Sequence, residues 1–374
     1  MHKSSGSVQI RATSPVVSYL PRMKKCTPFD IKKAALFAGI VLTGFVPTLA
    51  QELPDPLFNS QSPLDIAIHI SIRQIKKSNG DSSWVSDKLY YNNGGGVNDS
   101  IKVELKSRGH YRLTDCYYPP LWIKIDKNSA KGTVFDGNKK LKLVLPCDNR
   151  KGHDALISRE YLCYKLCEMI TPYAFRTRLV NVDMTEQREK QNKNFKLKGI
   201  LIEDLDKAAK RFDAKAEDLN IAPGFLHDTS ALRFYMFQLL IANTDWSTTA
   251  QHNAKLIRQH NGNFISLPYD FDMSGVVNAP YSFVALAGET VLPINNVRER
   301  LYRGYCRAPG VTEFVRKEML AKEKELLSVP DLLKDDLNDK EIKEIKEYLD
   351  DFFGILRNDF SFRTNILEKC RSLQ

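Results

Sequence analysis

Along residues 153–170, "HDALISREYLCYKLCEMI", apolar side chains recur at helical spacing: Leu156, Ile157, Tyr161, Leu162, Leu166 and Met169. That spacing predicts an amphipathic helix with one buried face, stopped by Pro172. The stretches before it follow a strand-like pattern. "KLYYNNGGGVNDSIKVELKSRG" predicts two strands around a glycine turn, because β-branched and aromatic residues flank "NNGGG". "LWIKID" and "KLKLVLP" predict two more, with an Asp136-Gly137 turn signal between them. Two further strands, "RTRLVNVDM" and "LKGILIED", follow the helix, separated by the polar "TEQREKQNKNF". Residues 51–80, interrupted by Pro54, Pro56 and Pro63, read as a lead-in segment.

Around 203–210 the pattern changes. "TSALRFYMFQLLIAN" predicts a strongly apolar helix capped by Thr229 or Ser230. "AKLIRQHNGNFISLPYDF" predicts a hairpin closed on Asn261-Gly262. From 310 onward, "EFVRKEMLAKEKELLSV" and "DKEIKEIKEYLDDFFGILRNDF" predict helices with solvated charged faces. The expected fold class is therefore α+β in two lobes: a β-rich lobe over 51–205 with one long helix, and a mainly helical lobe over 206–374.

Composition changes this picture chiefly at the start of the chain. The first 50 residues hold seven Lys/Arg and one acid, so they carry +6 of the net +10 and leave +4 for residues 51–374. That remainder gives no nucleic-acid signal. A basic stretch, the apolar run Ala34 to Val46, Pro47 and small residues ending at Ala50 form the layout of a secretory signal peptide, and Met23 would make a tidier start than Met1. The run is short for a membrane span, so residues 1–50 are expected to be a leader and the protein to be periplasmic or secreted, with no stable membrane span after cleavage.

Export makes the cysteines informative, since an oxidising compartment permits disulfides. Cys116 and Cys147, each bordering a predicted strand, are expected to pair. Cys163 and Cys167, four apart on the predicted helix, suit burial as small apolar residues better than bonding to each other.

Three aspartates and an asparagine, Asp245, Asn253, Asp270 and Asp272, interrupt the apolar stretch 241–275. Burying a carboxylate is costly unless it is paired or bound to a metal. The element order is that of a protein-kinase-like bilobal fold, and these residues fall where that fold places its chemistry. Lys142, inside the "KLKLVLP" strand, takes the position of the lysine that holds nucleotide phosphates, with Glu160 on the following helix as its partner. Lys140 and Lys124 are rivals for the first role and Glu168 for the second. Asp245 takes the position of the catalytic aspartate. Asn253 and Asp270 take those of the metal ligands, with Asp272 as a further ligand; His252 or Gln251 could replace Asn253. Trp246 is expected to pack and fix the loop.

The motifs "RGHYRLTDCYYPP" (Arg108 to Pro120) and "YDFDMSG" (Tyr269 to Gly275), with "NTDW…HN" before the latter, resemble the spore-coat CotH kinase-like family and its exported bacterial relatives. The resemblance spans most of 85–305. It implies an atypical kinase that uses Mg²⁺ or Mn²⁺ to transfer phosphate from ATP to a hydroxyl of an exported protein, a glycan or a lipid. No glycine-rich phosphate loop is present, so Arg108 and Arg112 are expected to grip phosphate in its place. Two other classes stay open: a catalytically inactive pseudokinase acting as an envelope scaffold, and a metal-dependent hydrolase built on Asp245, Asp270 and Asp272.

Overall fold

The alternating segment "LDIAIHI" forms strand β1, Leu64–Ile70, inside the stretch expected to be a mere lead-in. Ile66, Ile68 and Ile70 point one way and are buried, as period-2 side-chain placement requires. The computed structural model describes residues 55–78, 83–92, 98–109, 111–284, 286 and 291–373. The expected leader, 1–50, and the glycine turn at 93–97 lie outside the described residues.

Nine more strands follow: β2 Val85–Asn92, β3 Asn98–Ser107, β4 Leu121–Ile125, β5 Lys140–Val144, β6 Thr177–Glu186, β7 Lys193–Glu203, β8 Ala214–Glu217, β9 Ala254–Gln259 and β10 Phe264–Pro268. The first seven close into a barrel in the order β1-β2-β3-β4-β5-β7-β6. Closure comes from β1, which pairs antiparallel with β2 and runs parallel to β6 from Leu64↔Val180 to Ile70↔Glu186. This corrects the expected bilobal, protein-kinase-like fold with its helical second lobe. The sheet is not an open one, because β1 satisfies the edges of both β2 and β6, and the second half contains a three-stranded sheet, β10-β9-β8, besides its helices.

Four longer helices complete the chain: α1 His153–Ile170, α2 Asp228–Leu240, α3 Pro309–Ala321 and α4 Asp339–Arg357. Helix α1 forms where its periodicity places it. The cap of α2 differs from expectation: His227, not Thr229 or Ser230, accepts the backbone N–H of Ser230. Helix α4 starts at a full capping box between Asn338 and Glu341.

Alternation on β5 positions the site. Leu141 and Leu143 face the barrel interior with Leu121, Ile123 and Leu201, while Val144 packs outward with α1 and α2 residues such as Tyr164 and Phe237. Lys142 therefore points out of the barrel, toward β9, β10 and the loop after α2.

Two disulfides join Cys116 to Cys147 and Cys306 to Cys370, while Cys163 and Cys167 are free and buried. Both bonds fit an exported protein. Among the described residues, no helix is long and apolar enough to cross a membrane. The first bond ties the short helix Tyr111–Asp115 to the chain just after β5, where the Cys147 carbonyl also accepts the N–H of Tyr117 at 2.8 Å. Its partners are 31 residues apart, so replacing both cysteines by serine is expected to cost about 4 kcal/mol in equilibrium unfolding. An unchanged unfolding midpoint would show that the bond constrains nothing.

Candidate functional site

On the outer face of the barrel, Lys142 and Trp122 are register partners across β4 and β5. The Lys142 amine sits 5.5 Å from the Trp122 ring centre, 4.8 Å from that of Phe175 and 4.5 Å from that of Tyr269. Its side chain is almost wholly buried in this aromatic enclosure. Burial, followed by the charges of Arg108 and Lys255, pushes its pKa down to about 7, against the weaker pull of Asp204 and Asp270. The aromatic faces act the other way, favouring the charged form.

The expected Lys142–Glu160 ion pair is not made among the described residues. Lys142 points to the cleft, whereas Glu160, on α1, is buried beside Arg112, Asp270 and Asp272. Of the rivals, Lys140 lines the same cleft, paired with Asp204 at 3.1 Å and 4.7 Å from the Trp122 ring centre, whereas Lys124 pairs with Glu104 and Glu168 with Lys165 at 2.9 Å.

Arg108 follows β3 directly, with its N–H on the Pro120 carbonyl at 2.9 Å and its guanidinium 5.6 Å from the Trp122 ring centre. Gly109 follows at φ +80, a turn that a side chain would resist. Arg112, in the short helix that the disulfide anchors, donates to the Leu145 carbonyl. Burial disfavours its charge, but Asp272, Tyr281, Glu160 and Asp270 outweigh that and hold it protonated.

The second half supplies the acids. After α2 the chain turns sharply at Ala242 (φ 50), and the Asp245 N–H donates to Asn243 Oδ1 at 2.9 Å. Ser247 and His252 bond each other's backbones, closing a small loop with Asp245 just before it and Asn253 just after. Both carboxylate oxygens of Asp245 are held: Oδ1 lies 2.7 Å from His252 Nε2, and Oδ2 accepts from Asn253 Nδ2 at 2.9 Å. The same Asn253 amide also donates to the Asp245 carbonyl at 2.9 Å. His252, weighed from the sequence as a substitute for Asn253, is a hydrogen-bonding neighbour of Asp245. Its bond to Asp245 raises its pKa and fixes the carboxylate plane.

Gln251, Asn253 and Asp270 all adopt positive φ, at 49°, 47° and 64°. For residues with a Cβ this costs energy, and such strain gathers at functional sites. The Tyr164 hydroxyl accepts the N–H of Asp270 at 3.0 Å, holding the strained turn from α1.

Arg108, Arg112, Lys142, Asp245, Asn253, Asp270 and Asp272 all line one cleft of about 710 Å³, within the range of small-molecule sites. Glu160 lies behind it. Its pKa is pushed up by burial and by Asp272 and Asp270; that of Asp272 is pushed up by burial and Asp270. Glu160 Oε1 is buried without a hydrogen-bond partner. Three carboxyl groups face one buried arginine, so the cluster holds protons to limit its negative charge, and an added cation would take their place.

Among the described residues, no three His, Cys, Asp or Glu side chains are gathered to hold a metal by themselves. The hydrolase arrangement of Asp245, Asp270 and Asp272 around a single ion is therefore absent among them. Mg²⁺ and Mn²⁺ ask less of the protein, taking one or two carboxylates and completing their shell with phosphate oxygens and water. Asp270, Asp272 and the Asn253 amide oxygen are hard oxygen donors of that kind.

Sequence reasoning missed the aromatic enclosure of Lys142. Tyr269 could have been found as the residue before the "DFD" run, but Phe175 carries no such signal. No family model matches this chain, and no curated protein sequence matches it.

Proposed function

We propose that this cleft transfers a phosphoryl group from a nucleoside triphosphate to a hydroxyl, with Mg²⁺ or Mn²⁺ as cofactor. The observation that carries the reading is the separation of charge in one cavity. Lys142 and Arg108 meet over Trp122, while Asp245, Asn253, Asp270 and Asp272 line the same space. A polyphosphate laid between these groups would meet cations along its length and carboxylates where a metal and an acceptor hydroxyl are needed.

Lys142 would neutralise phosphate charge as an ammonium, since a bound anion raises the depressed amine pKa again. Arg108 would bind a second phosphate oxygen. Asp270 and Asp272, with the Asn253 oxygen, would hold the metal, which supplies charge neutralisation on the transferred group. Asp245 would orient the acceptor O–H and receive its proton as the oxygen bonds to phosphorus and the bond to the nucleoside diphosphate breaks. Its oxygens have lone pairs free for this beyond those given to His252 and Asn253. The fitting acceptor is a Ser or Thr of another exported protein, or a hydroxyl of a glycan or lipid. The motif resemblance to CotH-type enzymes supports the same chemistry.

The test is a titration of the purified protein with ATP and Mn²⁺, read as thermal stabilisation. At 100 times Kd the expected gain is about 2.7 kcal/mol. Asp270→Ala is expected to remove that gain while leaving the unliganded protein folded. Stabilisation independent of metal, or none with any nucleotide, would overturn the proposal.

A binding module without transfer is the second reading, and the missing Lys142–Glu160 pair favours it. Nucleotide stabilisation combined with no phosphate transfer to any exported acceptor would decide for it.

A further inference from the structure

The loop that carries Asp245 is clamped from behind by a residue far along the chain. Arg303 Nη1 donates to the Trp246 carbonyl at 3.2 Å and to that of Thr244, so one guanidinium grips the backbone on both sides of Asp245. Arg303 also lies 5.3 Å from the centre of the Trp246 ring. Trp246 is buried, stacks on Tyr235 and donates its indole N–H to the Asn243 carbonyl at 3.1 Å. The position of Asp245 is thus set by its two neighbours, and both are held by Arg303.

Arg303 is itself fixed by the end of the chain. The Arg371 N–H donates to the Gly304 carbonyl, and the Cys306 N–H donates to the Arg371 carbonyl, each at 2.9 Å. The Arg371 guanidinium lies 4.0 Å from the Tyr305 ring centre and 5.6 Å from that of Trp246. Gly304 permits this layer: a Cβ there would come within 2.4 Å of the Tyr302 ring and 2.8 Å of Tyr235 Cβ. The Cys306–Cys370 disulfide locks the two segments together beside these bonds.

No ion pair joins Arg303 or Arg371 to an acid among the described residues; burial, then Arg371, pull the Arg303 pKa down to about 10 against the weaker attraction of Asp245 and Tyr305. A charge is thus half-buried, next to another charge, to bond two carbonyls.

We propose that Arg303 is the positioning residue of Asp245, and that the Cys306–Cys370 disulfide keeps it in place by fixing Gly304–Cys306 against Arg371. The assignment rests on the reading of Asp245 as the proton acceptor, yet its geometric part is testable without it.

The experiment measures amide hydrogen exchange in the full chain for wild type, Arg303→Ala, Arg303→Lys and the Cys306→Ser/Cys370→Ser pair. Exchange over residues 244–248 is expected to rise at least about tenfold in Arg303→Ala and in the cysteine pair, with β5 and α1 unchanged. Arg303→Lys keeps the charge but not the fork and is expected to fall between. No rise at 244–248 in the lysine variant and the cysteine pair, or an equal rise across β5 and α1, overturns the proposal; these two variants serve if Arg303→Ala does not fold. Phosphate transfer gives the second readout: Arg303→Lys is expected to lower kcat about tenfold or more, with KM for the nucleotide unchanged. A raised KM with unchanged kcat overturns the positioning role. If wild type transfers nothing, the functional reading fails while the exchange result still decides the clamp.

Discussion

Asp245→Asn is expected to lower phosphate transfer by about 10²–10⁴-fold while nucleotide binding, read as thermal stabilisation with Mn²⁺, stays intact. Asparagine has nearly the same shape, and its oxygen can still accept from Asn253 or His252. It cannot take a proton from an acceptor hydroxyl. The effect therefore belongs to kcat, because the phosphates and metal are held by Lys142, Arg108, Asp270 and Asp272, which the change does not touch. The variant should also lower the His252 pKa, since the bond to the Asp245 carboxylate is the main cause of its rise. Equal losses of transfer and of nucleotide stabilisation would instead make Asp245 a binding residue, and unchanged transfer would remove it from the chemistry.

Lys142→Met is expected to abolish nucleotide stabilisation and to make the unliganded protein more stable. The amine is buried against three aromatic rings, and its pKa falls from 10.5 to about 7. Between these values the unfolded chain holds a proton that the folded chain lacks, so wild-type stability rises with pH across that window. Below about pH 7 both states are protonated and the penalty is complete, at roughly 1.4 kcal/mol per unit of displacement before the aromatic faces offset part of it. Methionine fills a similar volume without charge. Its advantage should thus be greatest at pH 6, amount to a few kcal/mol, and shrink toward pH 10. Calorimetric midpoints from pH 6 to 10 give the answer. A variant less stable than wild type at pH 6 would mean that the enclosure satisfies the ammonium, and the reading of Lys142 as a site held open for an anion would fall.

The local parts of this molecule were legible because their causes are local. Apolar residues at helical spacing mark α1, and Asn261-Gly262 marks the β9–β10 turn, where Gly262 takes φ +90. The cleft residues Asp245, Asn253 and Asp270 stood out because carboxylates and an amide interrupt apolar runs, where burying a carboxylate is costly unless it is paired. What the chain did not reveal was pairing at a distance. Strand β1 was hidden behind prolines, and its partner β6 begins more than 100 residues later, as the Asp65↔Asn181 pairing shows. Without β1 the closure of the barrel could not be read, and the strands were assigned to the β-rich lobe of a bilobal fold. The Lys142–Glu160 pair failed for a related reason: nothing local tells an aliphatic-stemmed lysine whether its counter-charge will be a carboxylate or an aromatic wall. Helix α1 turns Glu160 toward Arg112 instead. The Cys306–Cys370 bond was equally invisible, since spacing alone does not select partners among several cysteines.

Closing the barrel with β1 has a consequence for the nascent chain. Ribosomes release β1 early, and its short ladder with β2 can form at once, but the partner for its other edge does not exist until residues beyond 177 have been made. Contacts of such long sequence separation form slowly. Through that interval "LDIAIHI" presents an alternating apolar strand with one row of free backbone groups, the pattern that recruits foreign strands. Overproduced protein should therefore be lost to aggregates seeded at its first strand, and a holding chaperone that covers residues 64–70 should raise the soluble yield more than one that acts on the later helices.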